Sequence, residues 1–399
     1  MMRWILPVVL LLMSPVLAAP GEEASPLIVH EWGTFTSLQD VDGRTIGGVN
    51  IDDEKLPAFV HRLGQPRPGE APLAIDIFSK SLYAGSPSVT MRLETPVIYF
   101  YPPSGEPMTL DVTATFNGGL LSEFYPDGET TLDGKPSRRS PESINGKTRG
   151  SITWKDVRLN TRQAPPATDA HVWLAPRNVP AAASIQVGSE AEKYVFYRGV
   201  GHFDAPLTVR RSDGNRVSIS PAAGFRSDAM WLADFRADGA AAFRRVDLGE
   251  HSAAFADADY TADNVAKLRA AMKQSLVSAG LFDDEAEAML ETWKLSYFKS
   301  AGQRLFFMVP QNWTDDVLPL EFSRPVKVTR VMIGRIELVT PSQRELTTRL
   351  TDPAVKLDEA TKQALMQKLG RFAQPLVSDV QRQRNRSVFE LSEAKSSIE

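Results

Sequence analysis

The densest group of reactive side chains in the chain is Ile28-Val29-His30-Glu31-Trp32-Gly33-Thr34-Phe35-Thr36-Ser37. A histidine exchanges protons near neutral pH, and a carboxylate beside it can act as acid or base. The string is not the zinc-peptidase helix HExxH, because residue 34 is Thr and a second histidine one turn on is missing. On a strand, His30 and Trp32 share one face while Glu31 and Gly33 share the other. His30 and Glu31 therefore reach one pocket only across a bulge or turn. The alternative is structural: His30 hydrogen-bonded inside a sheet, with Glu31 paired to a base.

A second pattern is charge embedded in strand-like runs. Arg92 and Glu94 are two apart in Arg92-Leu93-Glu94, as are Arg335 and Glu337, so each pair leaves one face of its strand. Arg198 lies between Tyr197 and Gly199, where a small neighbour lets the backbone approach a ligand. Charges of both signs on inner strands are costly unless paired. They form either a structural ion-pair network or a polar cleft in which Arg92, Arg198 and Arg335 grip an anionic or sugar-like ligand, with Trp32 at its side. In the cleft reading His30, Glu31 and Glu94 are the catalytic candidates.

Other chemistries have less to stand on. The chain contains no cysteine, which removes thiol nucleophiles, disulfides and Cys-ligated metals. The five histidines, His30, His61, His171, His202 and His251, have no close spacing. Asp40, Asp42, Asn50, Asp52, Asp53 and Glu54 crowd together without a calcium-loop register, as a solvated acidic loop does. Dinucleotide-binding, Walker and nucleophile-elbow motifs do not occur. No metal or cofactor is assigned. Lys+Arg 45 against Asp+Glu 49 gives a formal charge of −4, which provides no attraction for nucleic acid.

The elements that must position these residues change character along the chain. To about residue 250 the signals are strands and turns. Met108–Phe116 alternates, and Asn117-Gly118-Gly119 then predicts a hairpin returning through Leu120–Tyr125. Leu207–Arg211 with Arg216–Ser220, and Ala229–Phe235 with Phe243–Leu248, predict two more. Strands are also expected over 86–101 and 193–200. From Thr261 the period becomes helical. Val265, Leu268, Met272, Leu276 and Ala279 make one stripe ending at Gly280, and Asp284 with Glu287 has capping-box spacing for the next helix. Strand character returns at Arg304–Val309 and Val326–Val339. Thr340-Pro341-Ser342-Gln343 then marks another helix start, and a further helix begins at Asp358.

The first residues read as an export leader. Arg3 precedes an apolar stretch, Trp4–Val16, too short to anchor in a bilayer, and Val16-Leu17-Ala18 fits the small-x-small cleavage rule. The expected organisation is a signal peptide over 1–18, a β-rich body over 19–255 and a helical section over 256–399 whose two strands join the sheet. The fold class expected is α+β: an antiparallel β-sandwich-like body with a helical C-terminal section. No membrane segment is expected after cleavage.

Five strings extend the reading beyond composition: HEWGTFTS at 30–37, RLETPVIYFY at 92–101, FYRGVG at 196–201, GLFDDEAEAMLETW at 280–293 and VMIGRIE at 331–337. Together they resemble an uncharacterised family of exported bacterial proteins. The resemblance implies a periplasmic or secreted location and brings no activity, cofactor or residue role with it. Two functions are expected: an exported soluble binding or cell-envelope-associated protein with an Arg/Glu-lined cleft for a small-molecule or envelope ligand, or a secreted hydrolase, metal-assisted or not, using His30 or Glu31 as acid/base. No signal for an oligomeric state is present.

Overall fold

A computed structural model describes residues 26–51, 55–65, 85–105, 107–212 and 215–396, with the side chains of the last helix followed to residue 386. The expected leader at 1–18, together with Asp52, Asp53 and Glu54 of the acidic loop, lies outside the described residues. The main strands are β1 (Leu27–Gln39), β2 (Met91–Tyr101), β3 (Met108–Asn117), β4 (Gly119–Tyr125), β5 (Arg149–Leu159), β6 (Val195–Gly201), β7 (Leu207–Ser212), β8 (Arg216–Pro221), β9 (Met230–Phe235), β10 (Ala241–Val246), β11 (Gly302–Val309) and β12 (Val326–Leu338). The helices are α1 (Asp263–Ser278), α2 (Asp283–Thr292), α3 (Lys294–Phe298), α4 (Gln311–Val317), α5 (Pro341–Thr351), α6 (Glu359–Leu369) and α7 (Ala373–Ser396). Among the described residues, no helix is long and apolar enough to cross a membrane.

The large sheet runs in the order β5-β4-β6-β2-β1-β12-β11-β9-β10, so strands from both sides of residue 255 share it. Its centre corrects the expected antiparallel sandwich. β1 pairs with β2 antiparallel but with β12 in parallel, from Leu27↔Val326 to Gln39↔Leu338, which makes the sheet mixed. Hairpin signals report only neighbours in sequence. A parallel pair needs a long crossover, and this one joins residues 299 apart.

A second correction lies at Asn117-Gly118-Gly119. Gly118 does take a positive φ of 79°, yet β3 and β4 do not pair with each other as a hairpin. β3 pairs with β5, whereas β4 pairs with β6. Gly118 donates to Thr148 O and accepts from His202 N, so it turns the chain between two partner sets. The hairpins β7–β8 and β9–β10 do form.

Alternation along β1 explains the layers. Leu27, Val29 and Phe35 enter one core with Leu93, Ile98 and Phe100 of β2, Val112 and Phe116 of β3, and Trp154 of β5. The opposite face carries Trp32 into a second core beneath α1 and α2, where Leu268, Met272, Leu276, Met289 and Trp293 pack. Farther along that face Leu38 enters a third core with Leu369, Phe372 and Leu376 around α6 and α7. Gly334 is required by close approach: a Cβ there would lie 2.0 Å from the Phe307 ring, so β11 packs directly on the β12 backbone.

Helix ends follow local chemistry. Thr340 accepts from Gln343 N and Gln343 reaches back to Thr340 N, a full capping box with Pro341 at the first turn. Asp358 caps α6 by accepting from Thr361 N at 2.7 Å. At α2 the expected box is displaced. The helix begins at Asp283, and Glu285 rather than Glu287 reaches back, to Phe282 N at 2.7 Å.

Candidate functional site

The third and second cores do not touch directly along the sheet, because a polar belt crosses it between them. β1 puts Thr34 and Thr36 there, β2 puts Arg92 and Glu94, β6 Arg198, β12 Arg335 and Glu337, and β11 Arg304; all are buried. Pairing brings them level. Thr34 faces Glu94 and Thr36 faces Arg92 on one side of β1, while Thr36 faces Arg335 on the other. The 3₁₀ turn Gly370–Phe372 between α6 and α7 adds Arg371.

The centre of the belt is Glu94. Arg335 donates to its Oε1 at 3.0 Å, with Arg371 at 3.9 Å and Arg92 at 4.0 Å. Burial alone would raise the Glu94 pKa. The fields of Arg335, Arg92, Arg371 and Arg198 outweigh that and hold it at about 2. Glu337 forms the second node, 3.4 Å from both Arg304 and Arg335 and 4.0 Å from Arg371. Arg304 also caps α3, donating to Ser296 O, Tyr297 O and Ser300 O at 2.9, 3.0 and 2.7 Å, a helix terminus where a cation is favourable. The Arg335 guanidinium lies 5.2 Å from the Tyr297 ring, and Tyr297 hydrogen-bonds to Thr34.

Backbone strain coincides with the belt. Thr95 has φ of 47°, in the left-handed region a β-branched residue avoids, and it precedes Pro96. Both ladders of β2 shift register at this point, between Trp32 and Thr34 of β1 and between Phe196 and Gly199 of β6. Thr95 Oγ1 accepts from Arg198 Nε and Nη2 at 3.4 and 3.3 Å. Arg198 also lies 3.8 Å from Glu123, which holds Arg62 at 3.2 Å. At the other end of the belt, a recess of about 20 Å³ opens among Arg304, Glu337, Arg371, Gln343 and Phe372. That is space for one water or one oxyanion oxygen.

Arg92, Arg198 and Arg335 are thus brought together around Glu94. His30 and Glu31 are not. Trp32 and the bulge separate them from Glu94, and strand alternation sends the two to opposite faces. His30 Nδ1 donates to Glu285 Oε2 at 2.8 Å, and Glu285 Oε1 accepts from Tyr101 Oη at 2.7 Å. Glu31 accepts from Arg330 Nε at 2.6 Å and from Tyr197 Oη, while Arg330 reaches Asp315 at 2.9 Å. Burial works against the Arg330 charge, and Glu31 beside it more than restores it, so its pKa stands above the ordinary arginine value. Trp32 is fully buried, edge-on to Trp293 at 5.3 Å, and lines none of the cavities described here.

Three participants carry no site role in the sequence reading: Arg304, Arg371 and Glu285. Arg304 opens a strand run just as Arg335 interrupts one, so the same rule of charge inside apolar alternation finds it. Pro96 inside a central strand is a bulge signal. Arg371 carries no local signal, because its role comes from where the α6–α7 turn lands. Among the described residues, no group of three or more His, Asp or Glu is placed to hold a metal ion. Asp40 holds its own turn, accepting from Asp42 N and Arg44 N at 2.9 Å.

No protein-family model matches this sequence, and no curated protein matches it. Among solved structures, the chain is similar to the Fcho1 Mu homology domain of Danio rerio with bound Eps15 peptide, at TM-score 0.26 and 8% identity over 80% of this chain and 96% of that one. That similarity is too low to carry fold or function.

Proposed function

We propose that this protein is an exported binding protein of the cell envelope, and that the arginine-rich belt recognises an anionic group of its ligand. The observation that carries the reading is the convergence of Arg335, Arg92, Arg371 and Arg198 on the single carboxylate of Glu94. Guanidinium groups read oxyanions by fixed two-pronged geometry, and the belt holds several in register on adjacent strands.

Stability alone is a poor reason for such an arrangement. Burying ions costs several kcal/mol each, and well-packed apolar side chains of the same volume do as well or better. The strained Thr95 at the belt supports the same view, because strain of about 1–3 kcal/mol persists where function needs it. In this reading Arg371, at the recess, meets the ligand, and Glu94 and Glu337 keep the deeper arginines oriented.

The hydrolase reading has less support, since His30, Glu31 and Glu94 have three separate partner sets. Thermal unfolding of the protein against sulfate, phosphate, citrate and glucuronate tests the proposal. We expect a saturable rise in Tm with at least one anion, lost in Arg371→Gln. A Tm that no anion moves, or an Arg371→Gln variant that responds like the parent, contradicts it.

A further inference from the structure

A second cavity, of about 570 Å³, opens beyond the far end of β12, between the β7–β8 hairpin, the paired strands β9 and β11 and the start of α5. It lies within the size range of small-molecule sites. Its walls carry Arg211, Asn215, Asp234, Phe255, Tyr260 and Gln303. We infer that this cavity binds a neutral saccharide of one or two rings, held by Asp234 through a pair of its hydroxyls.

The walls are fixed in advance. Arg211 donates from Nε to Val339 O at 3.1 Å, from Nη1 to Asn215 Oδ1 at 3.4 Å and from Nη2 to Gln303 Oε1. Gln303 Nε2 donates to Ala253 O at 2.9 Å. Tyr260 Oη donates to Asp234 Oδ2 at 3.0 Å, and Asp234 Oδ1 takes no hydrogen bond among the described residues. Asp234 lines the cavity, where its carboxylate can accept from ligand hydroxyl groups.

The aromatic wall fits the apolar face of a sugar ring. Phe255 and Tyr260 are half-buried and meet edge to face at 6.1 Å. Arg236 backs Tyr260 at 3.5 Å and Arg244 backs Phe255 at 4.2 Å, which stiffens both rings.

Burial raises the pKa of Asp234 and lowers that of Arg211, so both charged groups are partly withdrawn from water at the wall. Arg211 is already spent on Val339 O, Asn215 Oδ1 and Gln303 Oε1. A polyhydroxylated neutral ring suits Asp, Asn and Gln side chains beside an aromatic edge better than a carboxylate or an ammonium does.

Calorimetric titration of the protein with glucose, galactose, N-acetylglucosamine, maltose and cellobiose tests this, with glycine and sulfate as charged probes. We expect one-to-one saturable binding of at least one saccharide, not displaced by glycine or sulfate. Asp234→Asn should weaken it by about tenfold or more, the loss of one good hydrogen bond to a charged group. Tyr260→Phe, which keeps the ring, should weaken it less, and it serves as the second variant if Asp234→Asn fails to fold. Arg371→Gln should leave saccharide binding unchanged, which separates this site from the belt. Failure of all five saccharides to bind, displacement by glycine or sulfate, or unchanged affinity in a folded Asp234→Asn or in Tyr260→Phe overturns the inference.

Discussion

Arg335 on β12 and Glu94 on β2 are 241 residues apart in sequence and 3.0 Å apart in space, reaching each other across the threonines of β1. Only small β1 side chains at Thr34 and Thr36 permit it. The pair fixes the register of β2 and β12 on β1, because a slip of one residue would send every charge to the other face.

Removing one partner leaves buried cations around an empty site. Glu94→Gln should cost about 3–5 kcal/mol, the usual loss on breaking a buried ion pair. Urea unfolding at neutral pH measures it, and a cost below about 1 kcal/mol would show Glu94 to be energetically idle.

The same carboxylate predicts an acid limb. Its folded pKa, about 2, lies below the ordinary glutamate value of 4.5. Its contribution is therefore complete above about pH 4.5 and disappears as pH falls toward 2. The loss is on the order of 3 kcal/mol and should be absent from Glu94→Gln. Denaturant midpoints from pH 6 to pH 2 for both proteins give the difference. Asp234 has the opposite sign: its raised pKa means its ionisation opposes folding as pH rises above the ordinary aspartate value of 3.8, so Asp234→Asn should be at least as stable as the parent at pH 7.

How much of this was readable in the chain depended on distance along it. The Thr340 capping box, the β7–β8 hairpin and the α1 stripe of Leu268, Met272 and Leu276 involve near neighbours, and spacing alone located them. The β1–β12 parallel pair has no such spacing to read, and Gly118 reports a turn between β3 and β4 without naming the partner strand of either. At α2, Asp284/Glu287 and Phe282/Glu285 both have the required offset of three. The contact with His30 lies outside the helix and has no signature in its spacing.

Glu285 gathers three donors, His30 Nδ1, Tyr101 Oη and Phe282 N. A double-mutant cycle between His30→Ala and Glu285→Gln should return a coupling of about 1–3 kcal/mol. A value near zero would reduce the contact to packing.

Gly334 tests the packing of β11 on β12. Gly334→Ala places its methyl inside the Phe307 ring and should cost about 1–3 kcal/mol. Phe307→Leu in the same chain should recover part of the loss, which Tm values of the single and double variants will show; no recovery would place the cost in the backbone.

The claim that the belt recognises an anion is tested most directly by following guanidinium Nε–Hε resonances while titrating the anion that raises Tm most. Saturable movement of the Arg371 and Arg304 signals, with the exposed Arg216 of β8, which pairs with Glu250, unmoved, is the predicted result. Guanidinium signals that stay still, or that all drift together without saturating, would contradict it.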